Sequence, residues 1–344
     1  MQTSGRRRPT IRDVAQRAGV SKGAVSFALN GRPGVAEETR ERIMRAAEEL
    51  GWHPSASARA LSKRRALAVG LVLARPPAQI GNDPYFGQLL AGMEEVLALH
   101  GYALVMSVVG DSRAEITTYR RLVADQRIDG AVLTDPRADD PRYPLLAELG
   151  IPAVVVGDPV WPCGFPHVAT DERPAVEDAV QHLIALGHRC IGHVSGPRNF
   201  AHAVVRERAW RHAMERAGLT CGPCAEGAFS AEGATTATAR LLDAAEPPTA
   251  IVYASDIMAI AGMGHAGERG LRVPDDLSVI GYDDIMLARH LDPPLTTIRQ
   301  DPVAAGRLTA ALLLATLDGR QPDDAVPPAP ALVVRGSTAS PRTP

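Results

Sequence analysis

TIRDVAQRAGVSKGAVSFALNGRPGVAEETRERIMRAAEELGWHPSASARAL, residues 10–61, is the stretch on which the reading of this 344-residue chain turns. Thr10 is an N-cap candidate, and Ile11, Val14, Ala15 and Ala18 follow at i, i+3, i+4, i+7, one face of a helix. Gly19-Val20 interrupts the pattern. Ser21 can cap a second helix over 22–29, with Ala24, Val25, Ala28 and Leu29 inward. Asn30-Gly31-Arg32-Pro33-Gly34 is a run of turn formers. A third helix, about 37–50, turns Ile43, Ala46, Ala47 and Leu50 to the core and closes at Gly51. A helix, a glycine-containing turn and a second helix make a helix-turn-helix unit, whose second helix enters the major groove. The inward residues leave Lys22, Gly23, Ser26 and Phe27 facing out. Periodicity alone fits a three-helix mini-domain without a ligand just as well.

The distribution of charge favours DNA. The chain carries 37 Lys+Arg and 39 Asp+Glu, of which 14 and 6 fall within residues 1–65, leaving 23 and 33 for the rest. A basic head on an acidic body points the head at a polyanion. The opening run Arg6-Arg7-Arg8 is either a flexible arm over phosphates or a solvated terminus, and no apolar segment follows it, so it is not a secretion signal. No apolar run approaches the roughly 20 residues that span a bilayer. Cys163, Cys190, Cys221 and Cys224, without a signal peptide, fit a reducing cytoplasm and no disulfide framework.

Residues 10–61 closely resemble the headpiece of the lactose/galactose repressor (LacI/GalR) family, continuously and with the motifs in order. The resemblance implies that Lys22, Gly23 and Phe27 face base edges, while Ser21, Ser26, Asn30 and Thr39 hold phosphates, which fix register without reading sequence. Many members carry Arg where this chain has Phe27. Arg reads guanine bidentately; Phe either contacts a thymine methyl or packs against the headpiece. Ala36 stands where Ser commonly caps the third helix, at a cost of about 1 kcal/mol. In the family the segment matching 53–65, here with Arg59 and Leu61, folds into a hinge helix only on DNA, and the residue matching Leu61 is wedged between base steps in the minor groove. Alone, this segment reads as a polar linker with weak helical character.

From residue 66 the texture changes. Apolar runs at 67–73, 102–109, 130–133, 153–156, 190–194, 250–253 and 277–280 alternate with amphipathic stretches such as 86–99, 116–125, 175–186, 205–217 and 258–269. Buried strands alternating with helices predict an α/β domain of parallel sheets covered on both faces. There are too many strands for one tidy sheet, so two Rossmann-like lobes are expected, with ligand outside the strands' carboxyl ends. The phrases HLIALGHRCIGHVSGP, LRVPDDLSVIGYDDI and PPLTTIRQD continue the family resemblance, and the body also resembles periplasmic sugar-binding proteins. This implies lobe crossings near 168–171, 293–297 and 323–328 and an effector site in the cleft between lobes. The expected division is a headpiece at 1–52, a hinge at 53–65, and an effector domain at 66–336. Within that domain one lobe takes about 66–168 and 297–322, the other about 169–292 and 323–336. A flexible tail over 337–344 is expected.

A polyol-like ligand needs charged, bidentate groups for its hydroxyls and an aromatic face for its C–H surface. Arg206 matches the family Arg of an Arg-x-x-Gly-aromatic phrase, although the glycine is Ala209 here and the aromatic is Trp210. Asp283 lies in the Gly-Tyr-Asp-Asp run, and Phe229 matches an aromatic that packs on ligand. Ser255 stands where Asn is frequent. Tyr85 and Phe86 follow the first strand, and Gln300 follows the last crossing. Asp158 is a further candidate, since the usual acidic position aligns either with it or with Gly157. Each has a plainer reading: Arg206 on a surface carboxylate, Asp283 as a helix cap, Phe229 in the core.

Two motifs mislead. Cys221-Gly222-Pro223-Cys224 has the letters of a dithiol oxidoreductase, but that chemistry needs the first thiol at a helix N-terminus after a strand, and here a loop before the next strand is expected. Gly262, Gly264 and Gly267 spell a dinucleotide fingerprint, yet they fall inside a helix rather than a strand-to-helix turn. No metal site, cofactor or catalytic arrangement is expected. The expected partners are pseudo-palindromic double-stranded operator DNA, a sugar or related small-molecule effector, and a second copy, because one recognition helix reads too few bases. A sugar sensor with degenerate DNA specificity is the rival reading.

Overall fold

The computed structural model describes residues 9–29, 33–52 and 65–342. The chain divides into two units, Met1–Leu67 and Ala68–Pro344. The first holds helices α1 (Ile11–Ala18), α2 (Lys22–Leu29) and α3 (Glu37–Glu49). Asp13 accepts hydrogen bonds from the Thr10 N–H (2.7 Å) and hydroxyl (2.8 Å), which fixes the start of α1. Gly19 ends α1 in the left-handed conformation, φ 64°, where a side chain would be strained. Ser21 Oγ accepts the Ala24 N–H at 3.1 Å and so caps α2. Val14, Ala15, Ala18, Val25, Ala28, Ile43, Ala46 and Ala47 form one closed core, with Leu50 and Trp52 packed at its edge. From α3, Arg42 donates to the Ala18 carbonyl at 3.0 Å and Arg40 to that of Ala28 at 2.7 Å. Two guanidiniums thus satisfy orphan carbonyls at the ends of α1 and α2, where the helix dipole favours positive charge.

The second unit runs β1 (Ala68–Ala74), α4 (Pro77–Asn82), α5 (Pro84–Leu99), β2 (Ala103–Val109), α6 (Ser112–Ala124), β3 (Gly130–Leu133), α7 (Arg142–Glu148), β4 (Ala153–Val156) and β5 (His167–Val168). It continues with α8 (Arg173–Ala185), β6 (Ile191–Ser195), α9 (Ala201–Arg216), β7 (Cys224–Glu226), α10 (Ala231–Leu242), β8 (Ala250–Tyr253) and α11 (Asp256–Glu268). Last come β9 (Ser278–Asp283), β10 (Thr296–Arg299), α12 (Pro302–Leu317) and β11 (Ala331–Val333). One sheet has the order β2-β1-β3-β4-β5 and is parallel throughout; the other is β11-β10-β9-β8-β6-β7, with only β11 antiparallel. The near-continuous burial of β1, β3, β4, β6 and β8 follows from helices on both faces. The N-lobe is closed by α12 lying on α5. Their backbones nearly touch: a Cβ on Gly92 would fall 2.1 Å from the Val303 carbonyl oxygen, and one on Gly306 2.2 Å from that of Leu89.

Two expected boundaries are corrected. Thr296–Arg299 pairs with β9 in the C-lobe sheet, so the second crossing comes after Arg299 and the N-lobe resumes at α12, not at 297. Thr296, Thr297 and Ile298 are buried in succession, as in a strand covered on both faces. Nor is 337–342 a loose tail. Ser337 is fully buried, accepts the Thr296 N–H (2.8 Å) and donates to the Val279 carbonyl (2.6 Å), while Arg342 pairs with Asp275 and Asp276. Hydroxyl groups there complete the hydrogen bonding of β9 and β10, so a polar segment docks without apolar anchors.

Candidate effector site and DNA-reading surface

In the headpiece, Ser21, Lys22, Gly23 and Phe27 are exposed, and Ser26 and Thr39 are half-buried. The start of α2 therefore presents a cation, a bare glycine backbone and the positive end of the helix dipole, a combination suited to phosphate and base edges. Phe27 keeps 42% of its surface open, with its ring close to Gly34, where a Cβ would lie 3.8 Å from Phe27 Cδ2. Asn30, Arg59 and Leu61 lie outside the described residues, as do the Arg6–Arg8 run and most of the hinge.

In the effector domain, Tyr85, Phe86, Arg206, Phe229, Ser255, Asp283 and Gln300 line one cavity of about 70 Å³ between the lobes. Strand ends put them there: Gln300 follows β10, Asp283 closes β9, and Ser255, just beyond β8, caps α11 by accepting the Met258 N–H at 3.3 Å. Phe229 sits at φ 50°, directly after Ala228 at φ 54°. Its ring lies flat on Gly196, where a Cβ would meet it at 2.1 Å. Asp158 is the exception. It is exposed, its carboxylate accepts the Val160 N–H at 2.8 Å, and it borders the adjoining outer groove, whereas Gly157 lines the inner cavity.

The structure adds residues that the sequence reading did not single out. Arg75, one residue past β1, pairs bidentately with Asp135 at 2.7 Å and lies 5.0–5.4 Å from the ring centres of Phe86, Phe200 and Phe229. Two of those rings belong to the C-lobe, so this cation bridges the lobes. Beside it, Gln79 donates to the Ala228 carbonyl (3.2 Å) and the Ala201 N–H to that of Pro136 (2.9 Å). A buried network holds the loop that carries Asp135. Arg142 bonds Asp140 (2.6 Å), Glu115 (3.1 Å) and the carbonyls of Thr134 and Asp135. Burial alone would raise the Asp135 carboxyl, but Arg75 outweighs it and holds it below the ordinary carboxylate range.

On the other wall, Arg206 donates to both oxygens of Glu172 (2.7 and 3.1 Å) and to the Ala254 carbonyl (2.8 Å), with its guanidinium 3.5 Å over the Tyr282 ring. It is 6% exposed and fixed on three sides. His202 stacks on Phe200 at 5.7 Å and meets the tilted Phe229 ring at 5.1 Å, and burial followed by Arg206 lowers its pKa to about 3, so it is neutral. Asp83 caps α5 through the Tyr85 N–H (3.0 Å), and Asp283 accepts from Gln300 Nε2. Burial raises both carboxyls, and the charge of Asp83 adds to the shift at Asp283. The cavity thus has two guanidiniums, each already neutralised, and two carboxyls with no ion pair among the described residues. Such a wall offers several acceptors and fixed donors, and among the described residues neither of its guanidiniums is left unpaired for an anion.

The Cys221–Cys224 tetrad stands between α9 and β7, with Cys224 opening the strand and its thiol pushed up by burial, not at a helix N-terminus. Gly262, Gly264 and Gly267 lie within α11.

A basic helix-turn-helix unit, followed in the chain by two parallel-sheet lobes with a polar cavity between them, defines a class: regulators that join DNA binding to a small-molecule sensor. A family model described as bacterial regulatory proteins, lacI family, matches residues 10–55, and one described as a periplasmic binding protein-like domain matches residues 180–338. The transcriptional regulator CelR of Thermobifida fusca is 35% identical over 321 residues, covering 91% of this chain and 93% of its own length. The structure of a CelR–cellobiose complex superposes with a TM-score of 0.73 at 32% identity, covering 96% of this chain and 100% of that one. The lac repressor dimer bound to operator and the anti-inducer ONPF gives 0.83 at 29% identity, covering 97% and 100%. The chain belongs to the LacI family of bacterial regulatory proteins, and it is a ligand-responsive DNA-binding transcriptional regulator, not an enzyme.

Proposed function

We propose that this regulator is a repressor that binds a pseudo-palindromic operator as a homodimer, and that an uncharged sugar or related polyol in the interlobe cleft sets its operator affinity. It works in the cytoplasm, at the nucleoid. One observation carries the ligand assignment: the cleft gathers Arg206, Asp283, Gln300 and Phe229 around one cavity whose cations are all internally paired. Carboxyls and amides at fixed positions suit hydroxyl groups, the Phe229 ring suits a C–H face, and guanidiniums already paired with Asp135 and Glu172 are not open to a phosphate. That CelR has been seen with cellobiose supports the same reading. Ser21, Lys22, Gly23, Ser26, Phe27, Asn30, Thr39, Arg59 and Leu61 are the proposed DNA contacts.

In this mechanism the ligand supplies hydrogen bonds across the cleft and so favours one angle between the lobes. Arg75, Gln79 and the Pro136 carbonyl already bind the N-lobe to the C-lobe, so ligand acts on an interface that has its own contacts. A ligand can shift that equilibrium only by its differential affinity for the two arrangements.

The test is fluorescence anisotropy on an operator obtained by selection from random duplexes, with and without sugars, for wild type and Arg206→Ala. Loss of the ligand response with unchanged affinity for DNA in the absence of sugar is expected. Removing one partner of a buried pair costs about 3–5 kcal/mol, so the melting curve of free Arg206→Ala, together with its unchanged affinity for operator, is the folding control. An intact response in Arg206→Ala would remove this residue from the site.

A further inference from the structure

The aromatic surface of the cleft already has an occupant. The buried Arg75 guanidinium, held by two bonds of 2.7 Å to Asp135, lies 5.0 Å from the centre of the Phe200 ring and 5.4 Å from that of Phe229. Phe86 of its own lobe closes a third side at 5.2 Å. Three rings and a carboxylate around one cation make an aromatic cage, an arrangement that elsewhere receives a cationic ligand; here a side chain of the same molecule fills it. Phe229 has little else to offer. Gly196 backs its ring so closely that a Cβ would meet it at 2.1 Å, and His202 lies against it at 5.1 Å. Arg75 and Asp135 follow β1 and β3, so the pair moves with the N-lobe, while Phe200 and Phe229 precede α9 and α10 of the C-lobe. The same junction carries the Arg137–Phe200 β-bridge and the bond from the Ala201 N–H to the Pro136 carbonyl, 2.9 Å.

Small-molecule sites fill roughly 300–1,000 Å³, and the cavity beside Arg75, about 70 Å³, is far below that range. A ring that is to lie on Phe229 therefore needs the space that Arg75 takes. We infer that Arg75 is the latch of the ligand-free regulator: it keeps the lobes closed by filling the aromatic face an effector needs, so that effector binding must release it. The latch itself stands on contacts between the lobes; its competition with a sugar rests on the reading of the cleft as a sugar site. Such a latch lowers the apparent affinity of the effector by the fraction of molecules that are unlatched. One desolvated cation–π contact is enough to shift that fraction about tenfold.

Hydrogen exchange on the full chain without sugar tests the latch. The Ala201 amide, bonded across the lobes, should exchange about tenfold faster in Phe200→Ala and in the double variant Arg75→Ala, Asp135→Asn, while the amides of β6 keep their wild-type rates. The double variant removes both charges, so neither is left buried alone. Phe200→Leu, which keeps apolar bulk without a π face, should show the same rise. Unchanged exchange at Ala201 in the double variant, or in both Phe200 variants, overturns the latch. Isothermal titration with methyl glucoside and cellobiose then tests the competition. Phe200 lies outside the cavity lining, so a sugar should bind both Phe200 variants about tenfold more tightly than wild type. Equal or weaker binding overturns the competition. Binding of neither sugar to any of these proteins, with Ala201 exchange raised, overturns the sugar reading of the cleft and leaves the latch standing.

Discussion

At the scale of single residues, the structure separates positions whose chemistry is spent from those that remain open. Asp158 illustrates the first: its carboxylate closes a local turn, so the sequence candidate beside it, Gly157, is the one that lines the cavity. Ala36 illustrates a missing contribution. It occupies the N-cap of α3 at φ −61°, ψ 148°, the extended backbone a capping Ser adopts, but offers no side-chain acceptor. Glu37 and Glu38 in the first turn compensate in part through the dipole. Ala36→Ser should therefore stabilise the headpiece by about 0.5–1 kcal/mol. Urea denaturation of the isolated helix-turn-helix unit, whose core closes on itself, measures this. An unchanged midpoint would show that the α3 start is already satisfied.

At the scale of elements, the sheets and their covering helices were legible because apolar runs and helical periodicity carry the burial pattern directly. The apolar run at 130–133 and β3 coincide, as do 153–156 with β4 and 250–253 with β8. Arg75, Asp83, Asp135, Glu172 and His202 were not legible, since each belongs to a different loop or helix start and only the closure of the lobes brings them together. The one hint was positional: Arg75 directly follows a strand, and strand ends of such folds face ligand. Asp256 shows a further element-scale device. Buried at the first turn of α11, it accepts the Thr297 hydroxyl (2.5 Å) and the Ile285 N–H (2.9 Å), and Gly281 makes room for it. It ties α11 to β9 and β10 directly behind Ser255 and Asp283. Burial pushes its carboxyl up to about 7 from the ordinary 3.8. A folded-state pKa above the unfolded one means the folded protein holds the proton more tightly. The associated stability is full below the unfolded value and is lost as pH rises through about 7. Relative to Asp256→Asn, which cannot ionise, wild type should lose on the order of 1–3 kcal/mol between about pH 5 and about pH 8. Melting curves of the two proteins across that range decide it; a pH-independent difference would mean that Asp256 titrates as an ordinary carboxyl.

At the scale of the whole molecule, the two units have separate cores, and the proposed regulation requires that a ligand held by one change the operator affinity of the other. Coupling of this kind is a free energy shared by both ligands, typically about 1–3 kcal/mol, and it is reciprocal: in a homodimer, the factor that saturating sugar applies to operator affinity equals the product of the factors that the operator applies at the two sugar sites. Four dissociation constants measured on one preparation must close a cycle: operator without and with the saturating sugar effector, and the sugar without and with saturating operator duplex. Replacing residues 53–64 by a Gly/Ser linker of equal length should leave sugar affinity intact while bringing both ratios to one, because a flexible tether transmits no lobe angle. If the linker variant kept the full ratios, the joining segment would be a passive tether and the signal would have to pass by direct contact between units. If the wild-type cycle failed to close, the sugar would be acting somewhere other than a single site linked to DNA binding.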